Sequence, residues 1–452
     1  MTNNKSAIFS SFRDPASRIL KKEDSFYRQI TSAGITDFRQ LTNSGLARTL
    51  VDRGMLTPFE VAEDNGDSTL LRLQTIKFVN YPYEWCFGQL RDAAVLTLEI
   101  MMTSLQHGMI LKDASGFNVM FENSRPVFID HGSFTVYRPD TPWQAYRQFV
   151  MHFLSPLLLM KHRDIAYNTE LKNHLDGFPL QYASKLLPRR TWLELCPLLH
   201  IHLHSSFEQK YSDSRAPGRQ VKLAKNKLLD LLSYLKDYLR AMHPPQTKTE
   251  WGNYYCDHNY SIEAFADKKR IVREFIYAVK PASVIDIGAN NGEFSQIAAS
   301  VSGQVIAADI DPAAVEQLYR QKHERILPLL QDLNNPSPPL GVLNLERLSF
   351  LERAQSDLVM GLALIHHLRI SGNWPIAYIA RFFAGCAPAA VIEFVPKDDS
   401  QVRRLLRSRE DIYDDWTLEE VVKEFQNYYQ TCETVPIEDC GRSLLLLTGR
   451  KR

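Results

Sequence analysis

Two clusters of residues in this chain have types and spacings that could do chemistry. In the first, VIDIGANNG (284–292) reads as a buried strand feeding a tight turn that opens a helix. Gly288 and Gly292 let the backbone turn sharply and come close to a ligand, and Asn290 is one of the few residue types that tolerate a left-handed backbone. Asp286, at the strand end, can accept hydrogen bonds or hold a cationic group. Asp309 ends the following strand, VIAADID, 23 positions after Asp286, where a carboxylate can accept both hydroxyls of a ribose. Asp332, in LLQDL, is suited to an adenine edge. These carboxylates without a GxGxxG loop favour an adenosyl ligand over a dinucleotide. A purely structural strand–turn–helix is the plain alternative.

The second cluster lies in HGMILKDASGFNVMFENSRPVFIDHGSF (107–134). A loop carries Asp113 and, five positions on, Asn118; a strand hairpin then leads to Asp130. Two carboxylates and an amide on adjacent loops are the arrangement that holds a divalent metal beside a phosphoryl group. Here the alternative is a domain that binds no nucleotide.

The elements that must position these residues follow from periodicity. RILKKEDSFYRQI (18–30) suggests two strands around a Glu23-Asp24-Ser25 turn, and residues 35–56 show helical spacing broken by glycines. LLRLQTIKFV (70–79) is a strand interrupted by YPYEW; residues 89–107 form a largely buried helix. Two short strands, 118–121 and 126–130, flank the turn Glu122-Asn123-Ser124-Arg125, and residues 141–242 are mainly helical. AMHPPQTKT (241–249) ends the long helix, so the chain divides into domains at 1–245 and 246–452. The second domain alternates strand and helix, which implies a parallel, doubly wound α/β sheet.

At 452 residues two domains are the default, and 44% hydrophobic with 23% charged residues is ordinary for a globular chain. A formal net charge of +1 argues against nucleic acid as a partner, since phosphate contacts call for a clustered basic face. Arg403, Arg404, Arg407 and Arg409 lie in an acid-interspersed helical stretch and read as a solvated face. Six separated cysteines, without a CxxC pair, suit a reducing compartment. The first residues lack an apolar core for a signal peptide, and no uncharged apolar run reaches membrane-span length. A cytoplasmic protein is expected.

Residues 250–452 resemble the class I S-adenosylmethionine (SAM)-dependent methyltransferases. That resemblance implies a Rossmann-like seven-stranded methyltransferase sheet whose last two strands, about 433–449, form an antiparallel hairpin. It implies that the loop 286–292, including Asp286, Gly288, Asn290 and Gly292, meets the methionine part of the cofactor. Asp309 would then meet the ribose and Asp332 the adenine, and Asp357 would be the usual acidic start of the fourth strand. For a hydroxyl acceptor a general base is needed; His366 and His367 follow the fourth strand and Glu393 ends the fifth, in VIEFVP. Trp251, Tyr254 and Tyr255 could wall the cofactor or simply pack.

The segment around 70–160 resembles the core of protein-kinase-like and aminoglycoside-phosphotransferase-like α+β folds. Carried over, Asp113 is the base, while Asn118 and Asp130 bind Mg²⁺ beside ATP. Leu111 replaces the usual histidine, no glycine-rich loop is evident, and Lys21, Lys22 and Arg28 are the nearest candidates for an ATP-anchoring cation. A kinase-like half followed by a methyltransferase half, with YPYEW, LKDAS and IEFVPK, resembles a bacterial family of nodulation-associated methyltransferase-like proteins. Three functions stand open. One is a bifunctional methyltransferase, acting on a small molecule or glycan precursor at oxygen rather than nitrogen. Another is a SAM-sensing or substrate-binding module with a pseudokinase domain. The third is a small-molecule kinase with a silent methyltransferase half.

Overall fold

The computed structural model describes residues 6–7, 11–22, 25–206, 222–245, 260–407 and 409–451. The turn residues Glu23 and Asp24, the end of the 241–249 linker, Trp251, Tyr254, Tyr255 and Cys256 lie outside the described residues. Two compact units result: residues 1–246 with 339–348, and residues 247–338 with 349–452. A contiguous boundary at 245/246 therefore leaves out one segment, residues 339–348, which packs with the N-terminal unit. There the Arg347 guanidinium lies over the Phe117 ring and Glu346, almost fully buried, accepts from Arg13 at 2.9 Å.

In the N-terminal unit, β1 (Ser6–Ala7), β2 (Ser17–Lys22), β3 (Ser25–Ile30), β4 (Phe59–Asp64) and β5 (Thr69–Leu73) form an antiparallel sheet of order β1-β2-β3-β5-β4. The helical spacing of 35–56 gives two helices, Ile35–Asn43 and Leu46–Asp52, split at Gly45, whose φ of 76° no helix interior accepts. The helix Phe87–Gln106 is buried on most of its circumference. After it, β6 (Met109–Leu111) pairs with β9 (Phe134–Val136), and β7 (Val119–Glu122) pairs with β8 (Arg125–Phe128). This folding brings Asp113, Asn118 and Asp130 onto neighbouring loops.

In the C-terminal unit, β10 (Ser283–Ile287), β11 (Gln304–Asp309), β12 (Ile326–Leu330), β13 (Leu358–Gly361), β14 (Ala389–Phe394), β15 (Tyr429–Pro436) and β16 (Ser443–Arg450) form a seven-stranded sheet. Its order is β12-β11-β10-β13-β14-β16-β15, all parallel except β16, which runs antiparallel to both neighbours. This is a Rossmann-like α/β sheet with the expected terminal hairpin. The central strands read as unbroken apolar runs because helices cover both faces; every residue of β11 and β14 is buried. The arginines 403, 404, 407 and 409 are exposed, as a solvated face requires. Among the described residues no helix is long and apolar enough to cross a membrane.

Gly292 caps the helix Glu293–Val301 with φ 84°. A Cβ there would stand 2.4 Å from Leu318 Cδ1, so this glycine serves close packing. Gly292→Ala should lower stability by roughly 2–4 kcal/mol, combining left-handed strain with overpacking. Chemical denaturation would show it as a lower midpoint at unchanged slope; a shift under about 0.5 kcal/mol would contradict this reading.

Candidate functional site

In the C-terminal unit the chain builds outward from β10 in one direction and, from β13, in the other. Ligands bind open α/β sheets at such a switch, beyond the carboxyl ends of the strands. A cavity of about 340 Å³ occupies that place. Its wall comes from the ends of four parallel strands: Asp286–Asn290 at the end of β10, Asp309 and Ile310 at the end of β11, Gln331–Asn334 after β12, and Leu362–Leu364 after β13. The β10 turn is tied down by Gly288 and Ala289, whose N–H groups donate to Ala308 O. Gly288 and Asn290 have φ of 74° and 49°, so the asparagine takes the left-handed conformation its type permits. Ala363 has φ 50°, a conformation an alanine holds only under constraint, and such strain gathers at functional sites.

Two carboxylates of this cavity, Asp286 and Asp309, are buried. Asp309 accepts from Asn290 N at 2.7 Å and Asp311 N at 2.8 Å, leaving lone pairs for further donors. Burial pushes its carboxyl up to about 6, against those two N–H groups. Asp286 accepts from Ser295 Oγ at 2.6 Å, and burial pushes it up to about 7. Asp332 is half-buried and accepts from Asn334 N; the Asn334 side chain is fixed by the Trp374 indole N–H at 3.0 Å.

Both native values lie above the unfolded value of 3.8, so the folded unit holds these protons more tightly than the unfolded chain. Their stabilising contribution is full below about pH 4 and is lost as pH rises through about 6 and 7. Asp286→Asn, which stays neutral, should match wild type near pH 4 and become the more stable protein above pH 7. The gap, on the order of a few kcal/mol at most, is measurable by calorimetric unfolding between pH 4 and pH 8. A gap that does not change with pH would refute the assignment.

Lys268, on the helix Ile262–Val279, lines the cavity with Tyr260. Its Nζ lies 2.7 Å from Glu393 and over the Tyr260 and Phe294 rings. Tyr260 donates to Glu393 and accepts from Arg442 at 2.5 Å, while Arg442 Nε reaches Asp399 at 2.8 Å. Burial alone would raise the Glu393 carboxyl; Lys268 and Arg442 overcome it and hold the group below its usual range. His367 lines the cavity, and burial with Arg442 nearby pulls it down to about 4. His366 is 1% exposed, outside the wall, and pulled well down by burial and His367. Both imidazoles are neutral at physiological pH.

In the N-terminal unit Asp113 accepts from Ser115 N at 2.9 Å, and burial, then Asp130, push its carboxyl up. Asp130 meets the Arg28 guanidinium at 2.5 Å and accepts from Gly132 N and Ser133 Oγ. Burial would raise Asp130; Arg28 and these donors hold it below its usual range. Asn118 Nδ2 donates to Ser133 Oγ at 3.1 Å. The three residues are thus on neighbouring loops; Asn118 and Asp130 are linked through Ser133 Oγ, and Asp130 also meets an arginine. As they stand, Asp130 is occupied by Arg28 and Asn118 by Ser133 Oγ.

No family model matches the chain. Nodulation protein NoeA of Rhizobium meliloti (strain 1021) is 34% identical over 428 residues, spanning 91% of this chain and 90% of that protein. This chain belongs to the NoeA family. Among solved structures, N-methyltransferase NodS from Bradyrhizobium japonicum WM9 with S-adenosyl-L-homocysteine aligns at a TM-score of 0.33 and 13% identity, over 44% of this chain and 92% of that one. Magnesium protoporphyrin IX methyltransferase from Synechocystis PCC 6803 with bound SAM aligns at 0.30 and 16%, over 44% and 89%.

Within this NoeA-family chain, Asp286, Gly288, Asn290, Asp309, Asp332 and His367 come together at one cavity. Four other expected site residues do not reach it. Asp357 precedes β13 at the opposite end of the sheet, where it accepts from Ser283 N and Oγ and clamps the start of β10. Glu393 is 0% exposed and consumed by its cations. His366 sits behind His367, and Gly292 is packed under Leu318. Lys268, Tyr260 and Asn334 escaped the motif reading. A signal for Lys268 existed: it shares the helix face of Ala264, Ile271, Val272 and Phe275, the buried side, and a lysine on an apolar stripe needs a partner.

Proposed function

We propose that this protein is a SAM-dependent methyltransferase whose C-terminal cavity holds the cofactor. The observation that carries the reading is the grouping of the Asp286 carboxyl and the Lys268 amine beside the buried Asp309. That set matches an amino-acid zwitterion joined to a ribose. Asp286 would take the α-ammonium group, Lys268 the carboxylate, Asp309 the two ribose hydroxyls, and Asp332 with Asn334 the adenine edge. The cofactor supplies an electrophilic methyl group, and the protein mainly provides alignment for an in-line displacement. His367, neutral and at the cavity wall, would face the acceptor and can accept a hydrogen bond from its hydroxyl. The acceptor is read as a small molecule or glycan precursor, methylated at oxygen rather than nitrogen.

Calorimetric titration tests the reading with S-adenosylhomocysteine and methylthioadenosine, which lacks the zwitterion. Each lost charged contact is worth about 1.5 kcal/mol or more, so methylthioadenosine should bind on the order of 100-fold more weakly. Absence of S-adenosylhomocysteine binding at millimolar concentration would refute the function. Equal affinities would refute the placement of Asp286 and Lys268.

For the N-terminal unit we propose a kinase-like fold that holds a substrate or partner. The antiparallel sheet and the β6–β9 and β7–β8 pairings support it. In it Asp130 is paired with Arg28.

A further inference from the structure

We infer that the Arg28 guanidinium is the resident cation of the Asp130 loop, in the place a kinase-like fold gives to a divalent metal, and that the N-terminal unit binds no metal–nucleotide there. The ion pair is built in from several sides. Arg28 lies on β3 with its side chain 7% exposed, and Asp130, two residues beyond β8, has its side chain 15% exposed. One guanidinium nitrogen donates to both Asp130 and Ser17 Oγ, and the other to the Ile129 carbonyl. Arg28 is thus held by a side chain of its own sheet and by backbone as well as by the carboxylate.

Asp130 has little left to offer a metal. Oδ1 receives Arg28 and Gly132 N; Oδ2 receives Ser133 Oγ, which in turn receives the Asn118 amide. A metal ligated by Asn118 and Asp130 would have to break this chain and displace the guanidinium from Asp130 Oδ1. The space is closed as well. A Cβ at Gly132 would stand 2.6 Å from Ser17 Oγ and 3.0 Å from Asp14 Oδ2, so the start of β2 lies directly against the 130–133 loop. Asp14 does not supply a spare ligand either, since its oxygens accept from Ala16 N and Ser17 Oγ. An arginine is always charged, so it supplies a fixed positive charge beside Asp130 without a metal's exchange.

The experiment uses the full chain with Mn²⁺, read by electron paramagnetic resonance, with and without a non-hydrolysable ATP analogue. Wild type, Asp130→Asn and Asn118→Ala are compared; the last removes only a half-buried amide and guards against a folding failure of the first. The expected result is no Mn²⁺ binding below about 1 mM, or binding that both variants retain unchanged, which places it elsewhere. Sub-millimolar binding that either variant weakens tenfold or more, with unfolding midpoints near wild type, would overturn the inference. This readout is independent of SAM, so its failure leaves the methyltransferase reading untouched.

Discussion

Asp309→Ala is expected to weaken S-adenosylhomocysteine binding by about 100-fold or more while leaving the C-terminal unit folded. Two hydrogen bonds from ribose hydroxyls to a carboxylate, at about 1.5 kcal/mol each, account for roughly 3 kcal/mol, or about two decades of affinity. A second effect adds to it. Asp309 holds Asn290 N at 2.7 Å, so its loss also frees the left-handed turn that lets the backbone approach the cofactor. The unliganded protein should not suffer in proportion, because the carboxyl is already strained by burial, with its pKa pushed up to about 6. Binding and stability should therefore move apart, as they do where a functional group is held in an unfavourable setting. Calorimetric titration beside thermal unfolding checks both. An affinity within threefold of wild type, at an unchanged fold, would remove Asp309 from the cofactor site.

Glu393→Ala should give the largest stability loss of any single change considered. It leaves Lys268 and Arg442, with side chains 4% and 2% exposed, as buried cations stripped of their shared carboxylate. Removing one partner of a buried pair costs roughly 3–5 kcal/mol. For a unit of this size each kcal/mol lowers the unfolding midpoint by about 2–4 °C, so a fall of roughly 6–20 °C is expected. A catalytic acid or base would behave in the opposite way, with turnover lost and the midpoint hardly moved. Thermal unfolding of the variant decides between the two. A midpoint within about 2 °C of wild type would return Glu393 to the list of acceptor-facing groups.

The C-terminal sheet was legible because its signals are local. Unbroken apolar runs such as VIDIG and VIAAD can be satisfied only between two helix layers, and the turn at 288–292 requires residues that accept positive φ. Asp286, Asp309 and Asp332 follow from strand ends, since all parallel strands deliver their carboxyl ends to one edge. The hairpin around Asn123, with φ 56°, and the split helices at Gly45 were local in the same way.

Residue type and spacing alone thus determined the strand–helix alternation, the parallel doubly wound sheet and the loop that lines the cavity, while its seven strands were implied by the family resemblance. They also placed Asp113, Asn118 and Asp130 on neighbouring loops. Only the tertiary structure decided which charges meet. Glu393 and Lys268 are 125 positions apart, and Arg28 and Asp130 are 102 apart, so no window along the chain contains both members of either pair. A carboxylate at a strand end reads the same in sequence whether it faces a ligand or a buried cation. The difference is made by the group that arrives from a distant element, and in a low-dielectric interior that group fixes the charge and the role of the residue it meets.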